Sequence, residues 1–144
     1  MLELRPIVPG FAVAPQIAID DFDAIKAEGF RLVINNRPDN EVGADLASDK
    51  MRDAALAAGL DYVYLPYFSG NLTPPLADAF AEILSQHAGP VLAYCRSGTR
   101  SSYLWGMAQA GQRPTPEILS ILLRAGYEAS GLAPAIEGRA ARLD

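Results

Sequence analysis

The chain has 144 residues, half of them hydrophobic, which suits one domain with a real core and excludes a disordered chain. A formal net charge of −5 gives no electrostatic support for nucleic-acid binding. The single cysteine, Cys95, excludes an internal disulfide and a paired-cysteine zinc or redox site, and the single histidine, His87, excludes a histidine-rich metal cluster.

The apolar opening IVPGFAVAPQIAI is broken by Pro9 and Pro15, and MLELR lacks a positive leader, so no cleaved signal is expected. No run has the length of a transmembrane helix. The expectation is a single domain over 1–144 in a reducing, cytoplasmic setting, where a lone thiol stays reduced. FAVAPQI (11–17) reads as a short extended piece, with Pro15 suiting an edge strand. Asp20 is placed to cap a helix over 21–28, stopped by Gly29. FRLVIN (30–35) has the apolar run of a buried strand, and residues 36–43 are turn chemistry. Residues 48–58 set Met51, Ala54, Ala55 and Ala58 on one helical face before Gly59.

YVYLPY (62–67) is β-branched and aromatic, the composition of a strand. Thr73 then caps a helix with Pro74 at its first position and an apolar stripe of Leu76, Phe80, Ile83 and Leu84. Gly89-Pro90 stops that helix, and VLAY (91–94) follows as another buried strand. Helices are expected over about 101–110, over 115–127 with Thr115 as cap, and over 132–142. This alternation predicts an α/β domain of three layers, with a mainly parallel sheet of four or five strands flanked by helices. Ligands of such sheets bind beyond the carboxyl ends of the strands, where NNRPDNE, PYFSGN and CRSGTRS lie.

The last of these segments carries the chemistry. A strand-to-helix turn presents successive N–H groups as an anion-binding nest, and the helix N-terminus adds partial positive charge. Gly98 permits a backbone conformation that a Cβ resists, and Arg100 is suited to hold an oxyanion through two parallel bonds. Arg96, Ser97, Thr99 and Ser101 complete the expected anion-binding loop. Together they favour thiolate over thiol at Cys95 and make it a nucleophile, whereas a cysteine that only fills a core needs no such turn. Three further residues are candidates for substrate binding. Arg37 ends a strand, although it could equally pair with Asp39 or Glu41. Asp39 also fits an ordinary exposed turn. Tyr67 is the tyrosine of its strand best placed to line the cleft, while Tyr62 and Tyr64 suit burial. His87 reads as a helix-terminal residue and Trp105 as core.

Strand, Cys95, Gly98, Arg100, Ser101 and helix together resemble the active loops of two families. Cysteine-dependent phosphatases have five residues between cysteine and arginine; rhodanese-type sulfurtransferases have four, as CRSGTR does here. Tyr94 stands where phosphatases usually have histidine. The helical reading of 101–142 is similar to the dual-specificity phosphatase topology, since a rhodanese domain adds another strand there. FRLVINNRPDNE, DYVYLPY and GPVLAYCRSGTRSSYLW jointly resemble a bacterial family of phosphatase-like domains, also described as sulfur transferases, over roughly residues 10–127. Its members occur alone or fused to metallo-β-lactamase-fold hydrolases of sulfide metabolism.

The resemblance implies a small anionic substrate (thiosulfate, a persulfide or a phosphate ester), no cofactor or metal, and a sulfide-oxidising metallo-β-lactamase-fold enzyme as partner. Neither nucleic acid nor membrane is implied. The short loop and the absence of Asp or Glu from PYFSGNLTPP favour sulfur transfer through a Cys95 persulfide. Phosphate hydrolysis through a phosphocysteine is the alternative, with Asp39 or Glu41 as substitute acid. A non-catalytic module binding anions or sulfane sulfur is the third reading.

Overall fold

The computed structural model describes residues 2–143. Five short segments become strands: β1 (Arg5–Val8), β2 (Phe11–Ala14), β3 (Leu32–Asn35), β4 (Asp61–Tyr64) and β5 (Val91–Tyr94). They form one sheet in the order β1-β2-β5-β3-β4, parallel except for the β1–β2 hairpin. β2, β3 and β5 are buried at every position, as strands covered on both faces must be.

Alternation along these strands divides the core in two. Val13, Leu32, Ile34, Val91 and Ala93 face one helical layer, which supplies Phe80, Leu104, Trp105, Ile118, Leu122 and Ile136. Those side chains come from α3 (Pro74–Gln86), α4 (Thr99–Ala108), α5 (Thr115–Arg124) and α6 (Ala133–Leu143). Ala12, Ala14, Val33, Leu92 and Tyr94 face the other way, onto α1 (Phe22–Ala27) and α2 (Ser48–Ala57) through Phe22, Ile25, Met51 and Ala55. The result is the expected three-layer, mainly parallel domain. After β5 come three helices, and no further strand among the described residues. Among the described residues, no helix is long and apolar enough to cross a membrane.

Local expectations were corrected at several ends. β1 was not expected, and it is the edge strand that carries a proline, Pro6; Pro15 lies just past the end of the interior strand β2. A 3₁₀ turn at Ile19–Asp21 precedes α1, and it is the Asp21 carboxylate, not Asp20, that accepts the Ala18 N–H at 2.7 Å. β4 ends at Tyr64, earlier than expected; beyond it the Leu65 and Tyr67 N–H groups still reach Asn35 O and Asn36 O at 2.9 Å, and Pro66 lies between them, where no donor faces β3. α4 starts two residues earlier than expected, at Thr99, and Pro114 takes the cap position given to Thr115. Thr73 caps α3 as expected, its Oγ1 accepting the Leu76 N–H at 3.4 Å. Trp105 is core, stacked on Phe11 with ring centroids 6.3 Å apart. His87 closes α3, with Nδ1 2.9 Å from the Ile83 carbonyl oxygen.

Candidate active site

The parallel strands end in register. Ala14, Tyr94, Asn35 and Tyr64 lie side by side across β2, β5, β3 and β4. The loops that follow therefore start at one level, along the carboxyl edge of the sheet. Two backbone bonds bind the cysteine loop to its neighbour: Cys95 N–H donates to Ala14 O at 3.4 Å and Gln16 N–H to Arg96 O at 3.1 Å. A third joins Asn36 N–H to Tyr94 O at 2.8 Å.

Cys95 forms the floor of the loop. Its side chain is wholly enclosed, which corrects the idea that the polar turn keeps the thiol apart from the core. The Gly98 N–H donates to Sγ at 3.1 Å. Gly98 has φ of +89°, the left-handed region, and its N–H turns inward directly ahead of α4. A Cβ at this position would lie 2.2 Å from the Tyr127 hydroxyl oxygen, so space as well as backbone angle demands glycine. Ser102 closes the turn by donating through Oγ to Gly98 O at 2.8 Å.

Arg100 is held end-on. Nη1 donates to Glu41 Oε2 at 2.9 Å and to Tyr67 O at 2.6 Å, and Nη2 donates to Glu41 Oε1 at 2.7 Å. A guanidinium carries five N–H groups, so Nε–H and the second Nη2–H remain uncommitted in these bonds. That pair is the planar fork which binds a tetrahedral oxyanion through two parallel hydrogen bonds. Glu41 is held in turn by Arg37, whose Nε lies 3.4 Å from Oε1, while Arg37 Nη2 donates to Glu41 O at 3.1 Å. Arg37 Nη1 donates to Gln16 Oε1 at 3.1 Å. The Arg100 guanidinium holds the Glu41 carboxyl below its ordinary range, with Arg37 adding to the effect. Glu41 in return pushes Arg100 further up. A carboxylate so paired keeps no proton to give at neutral pH, which removes Glu41 as a substitute acid.

The remaining predicted residues are distributed between the loop and its supports. Ser101 is buried and donates through Oγ to Asn36 Oδ1 at 2.8 Å, while Asn36 Nδ2 donates to Leu65 O at 2.8 Å. Ser97 and Thr99 bond to each other on the exposed side, with oxygens 2.9 Å apart. Arg96 is exposed, and its side chain has no hydrogen bond among the described residues. Tyr67 is buried beside the site: its N–H donates to Asn36 O at 2.9 Å and its carbonyl receives Arg100. Asp39 is set elsewhere, its Oδ1 accepting the Ser48 N–H at 2.8 Å in the first turn of α2. Its N–H donates to the Tyr64 hydroxyl at 2.8 Å.

Sequence reasoning missed Asn36, Gln16 and the clamping role of Glu41. Only Glu41 had a local signal, its i,i+4 spacing from Arg37. The acid usual in phosphatases has no counterpart among residues 66–75, which contain no carboxylate.

Comparison with known proteins agrees with this fold. A Neisseria meningitidis protein, solved as a provisionally described phosphatase, superposes with a TM-score of 0.81 at 26% identity, over 93% of this chain and 96% of that one. The kinase associated phosphatase, solved with its catalytic-site cysteine changed to serine, shares the fold with a TM-score of 0.76 at 10% identity, over 99% and 95% of the two chains. The beta-lactamase hydrolase-like protein of Agrobacterium fabrum is 36% identical over 98 residues, or 68% of this chain. The chain spans 23% of the length of that relative. The family model for the phosphatase-like domain of beta-lactamase hydrolase-like proteins matches residues 3–112. With its cysteine-phosphatase fold and the loop built on Cys95 and Arg100, the chain belongs to that family.

Proposed function

We propose that this protein is a cysteine-dependent phosphatase acting on a small phosphate ester. The observation that carries the reading is the way Arg100 is held. Glu41 and the Tyr67 carbonyl take three of its five N–H groups and leave the Nε–H and second Nη2–H fork for an oxyanion at the cysteine loop. Two of the equatorial oxygens of a transferring phosphoryl group match that fork, and α4 adds N-terminal charge. The Cys95 sulfur attacks phosphorus, the bond from phosphorus to the leaving oxygen breaks, and the leaving oxygen takes a proton from solvent. Water then attacks the phosphocysteine and releases inorganic phosphate and the thiolate. With no carboxylic acid in residues 66–75, the best substrates are esters whose leaving groups need little protonation, aryl phosphates above alkyl phosphates.

Sulfur transfer through a Cys95 persulfide is the second reading, favoured by the four-residue spacing from Cys95 to Arg100. The phosphatase fold and the phosphatase relatives give the first reading more support. A metallo-β-lactamase-fold partner belongs to the proposal as well and rests on the names and greater length of the relatives; a cytoplasmic setting is proposed because the lone thiol of Cys95 stays reduced there. Parallel incubations with an aryl phosphate and with thiosulfate decide between the two chemistries. We expect steady phosphate release that is lost in Cys95→Ser, and no sulfur added to the intact mass. A cyanide-labile sulfur on Cys95, with no phosphate release, overturns the proposal. Anion binding retained in Cys95→Ser, with no turnover by either protein, identifies a binding module.

A further inference from the structure

We propose that Tyr127 is a positioning residue of the catalytic loop, its hydroxyl holding the Ser97–Gly98 peptide so that the Gly98 N–H points at Cys95. Tyr127 lies beyond the part of the chain matched by the family model, in the turn after α5. Gly126, with φ of +100°, ends that helix, and the Tyr127 N–H returns to Leu122 O at 2.9 Å. The Tyr127 ring is buried, and its hydroxyl lies 3.1 Å from Ser97 O.

The direction of this bond is fixed by chemistry. Arg5, on β1, donates from Nη1 to the Tyr127 hydroxyl oxygen at 3.1 Å, with its guanidinium carbon 5.4 Å from the ring centroid. Arginine only donates, so the hydroxyl accepts from Arg5 and its single proton goes to Ser97 O. Burial pushes the phenol up from its ordinary value, which keeps that proton in place across the neutral range.

The consequence passes through one rigid plane. The carbonyl of Ser97 and the N–H of Gly98 belong to the same peptide unit and point in opposite directions. Anchoring the carbonyl outward on Tyr127 therefore aims the N–H inward, where it meets Sγ at 3.1 Å. A flip of this peptide would turn a carbonyl oxygen toward the anion site and remove a donor. Glycine at 98 makes such a flip sterically easy, so the loop needs an external restraint.

The inference rests on Cys95 being the nucleophile proposed above, and its test reads the loop apart from turnover. Tyr127→Phe removes one oxygen and keeps the packing. Tyr103→Phe is the control, because the Tyr103 hydroxyl donates to Glu128 O and has no hydrogen bond to residues 95–98 among the described residues. Three quantities are measured in both variants: the Gly98 amide NMR signal and its hydrogen exchange, orthovanadate affinity, and the rate of Cys95 alkylation at one neutral pH. In Tyr127→Phe we expect a shifted, faster-exchanging Gly98 amide, vanadate affinity lower by about tenfold and altered alkylation. Tyr103→Phe should match the parent chain. Should Tyr127→Phe fold poorly, Arg5→Leu removes the donor behind Tyr127 and should move the same readouts by about two- to threefold. A Gly98 amide and vanadate affinity unchanged in Tyr127→Phe overturn the inference while leaving the phosphatase reading intact. Changes in the amide and in alkylation without phosphatase activity in the parent chain overturn that reading and leave this one standing.

Discussion

The two ends of the sheet are built from different materials. At the amino end, the β1–β2 turn, Phe30 and Pro90 border an apolar groove of about 520 Å³ lined by Pro6, Ile7, Val8 and Phe11. Glu28 is the one charged side chain there. At the carboxyl end, Cys95 is fully covered, yet Glu41 and Asn36 are tied to Arg100 and Ser101 of the cysteine loop by bonds of 2.7–2.9 Å, and Arg37 holds Glu41 at 3.4 Å. This apolar hollow thus lies at the opposite end of the sheet from the cysteine loop. An apolar hollow and a convergence of donors on a nucleophile point to opposite ends of the sheet, and the proposed chemistry needs the second.

Glu41→Gln probes the polar end most strongly. It keeps the shape but leaves one acceptor oxygen for the two Arg100 donors, sets an NH2 against the other and removes the carboxylate charge. We expect kcat/KM for an aryl phosphate to fall by about 10²-fold, with the loss in kcat as Arg100 leaves its catalytic orientation. The same pair fixes a pH dependence. A carboxyl whose folded-state value is depressed contributes stability that is complete above its ordinary value of 4.5 and is lost as pH falls through the lower folded-state value. Urea denaturation should therefore show the parent chain more stable than Glu41→Gln above 4.5, with the two converging below it. A constant difference across that range removes the Arg100 pair as the cause.

The smallest effect on rate is expected at the apolar end. Phe30 packs against the core cluster beneath α1 and α2 and borders the groove. Phe30→Ala should cost about 1–3 kcal/mol of stability through lost apolar burial. It should leave kcat/KM within about twofold, since the site lies at the far ends of the same strands. A large loss of activity in the folded variant would break the comparison between the two edges.

What could be read from the sequence follows from how local each signal is. The buried strands and the stripe of α3 were legible because burial repeats at fixed spacing within one segment. The cysteine loop was legible for the same reason, as Cys95 through Ser101 are contiguous. β1 was not, because ELRPIV has little alternation and its pairing with β2 depends on a tight turn at Gly10. The rule that proline belongs on edge strands held for Pro6, but Pro15 drew the attention. The supports of the site were the least legible. Glu41 and Arg100 are 59 positions apart, and Arg5 and Tyr127 are 122 apart. Charge at such separations is silent until the fold brings it together. Asp39 and Glu41 looked alike in one turn, and only the structure sends one to α2 and the other to Arg100.

The central claim is that Cys95, at the carboxyl edge, is the atom that takes the phosphoryl group. Acid quenching of the enzyme during turnover of an aryl phosphate, followed by mass analysis of the peptide containing residues 91–105, tests it directly. The account predicts a phosphoryl group on Cys95 that forms within one turnover, decays as phosphate appears and is absent from Cys95→Ser. Phosphate release at the parent rate in Cys95→Ser, with no phosphoryl group on this peptide, would contradict it.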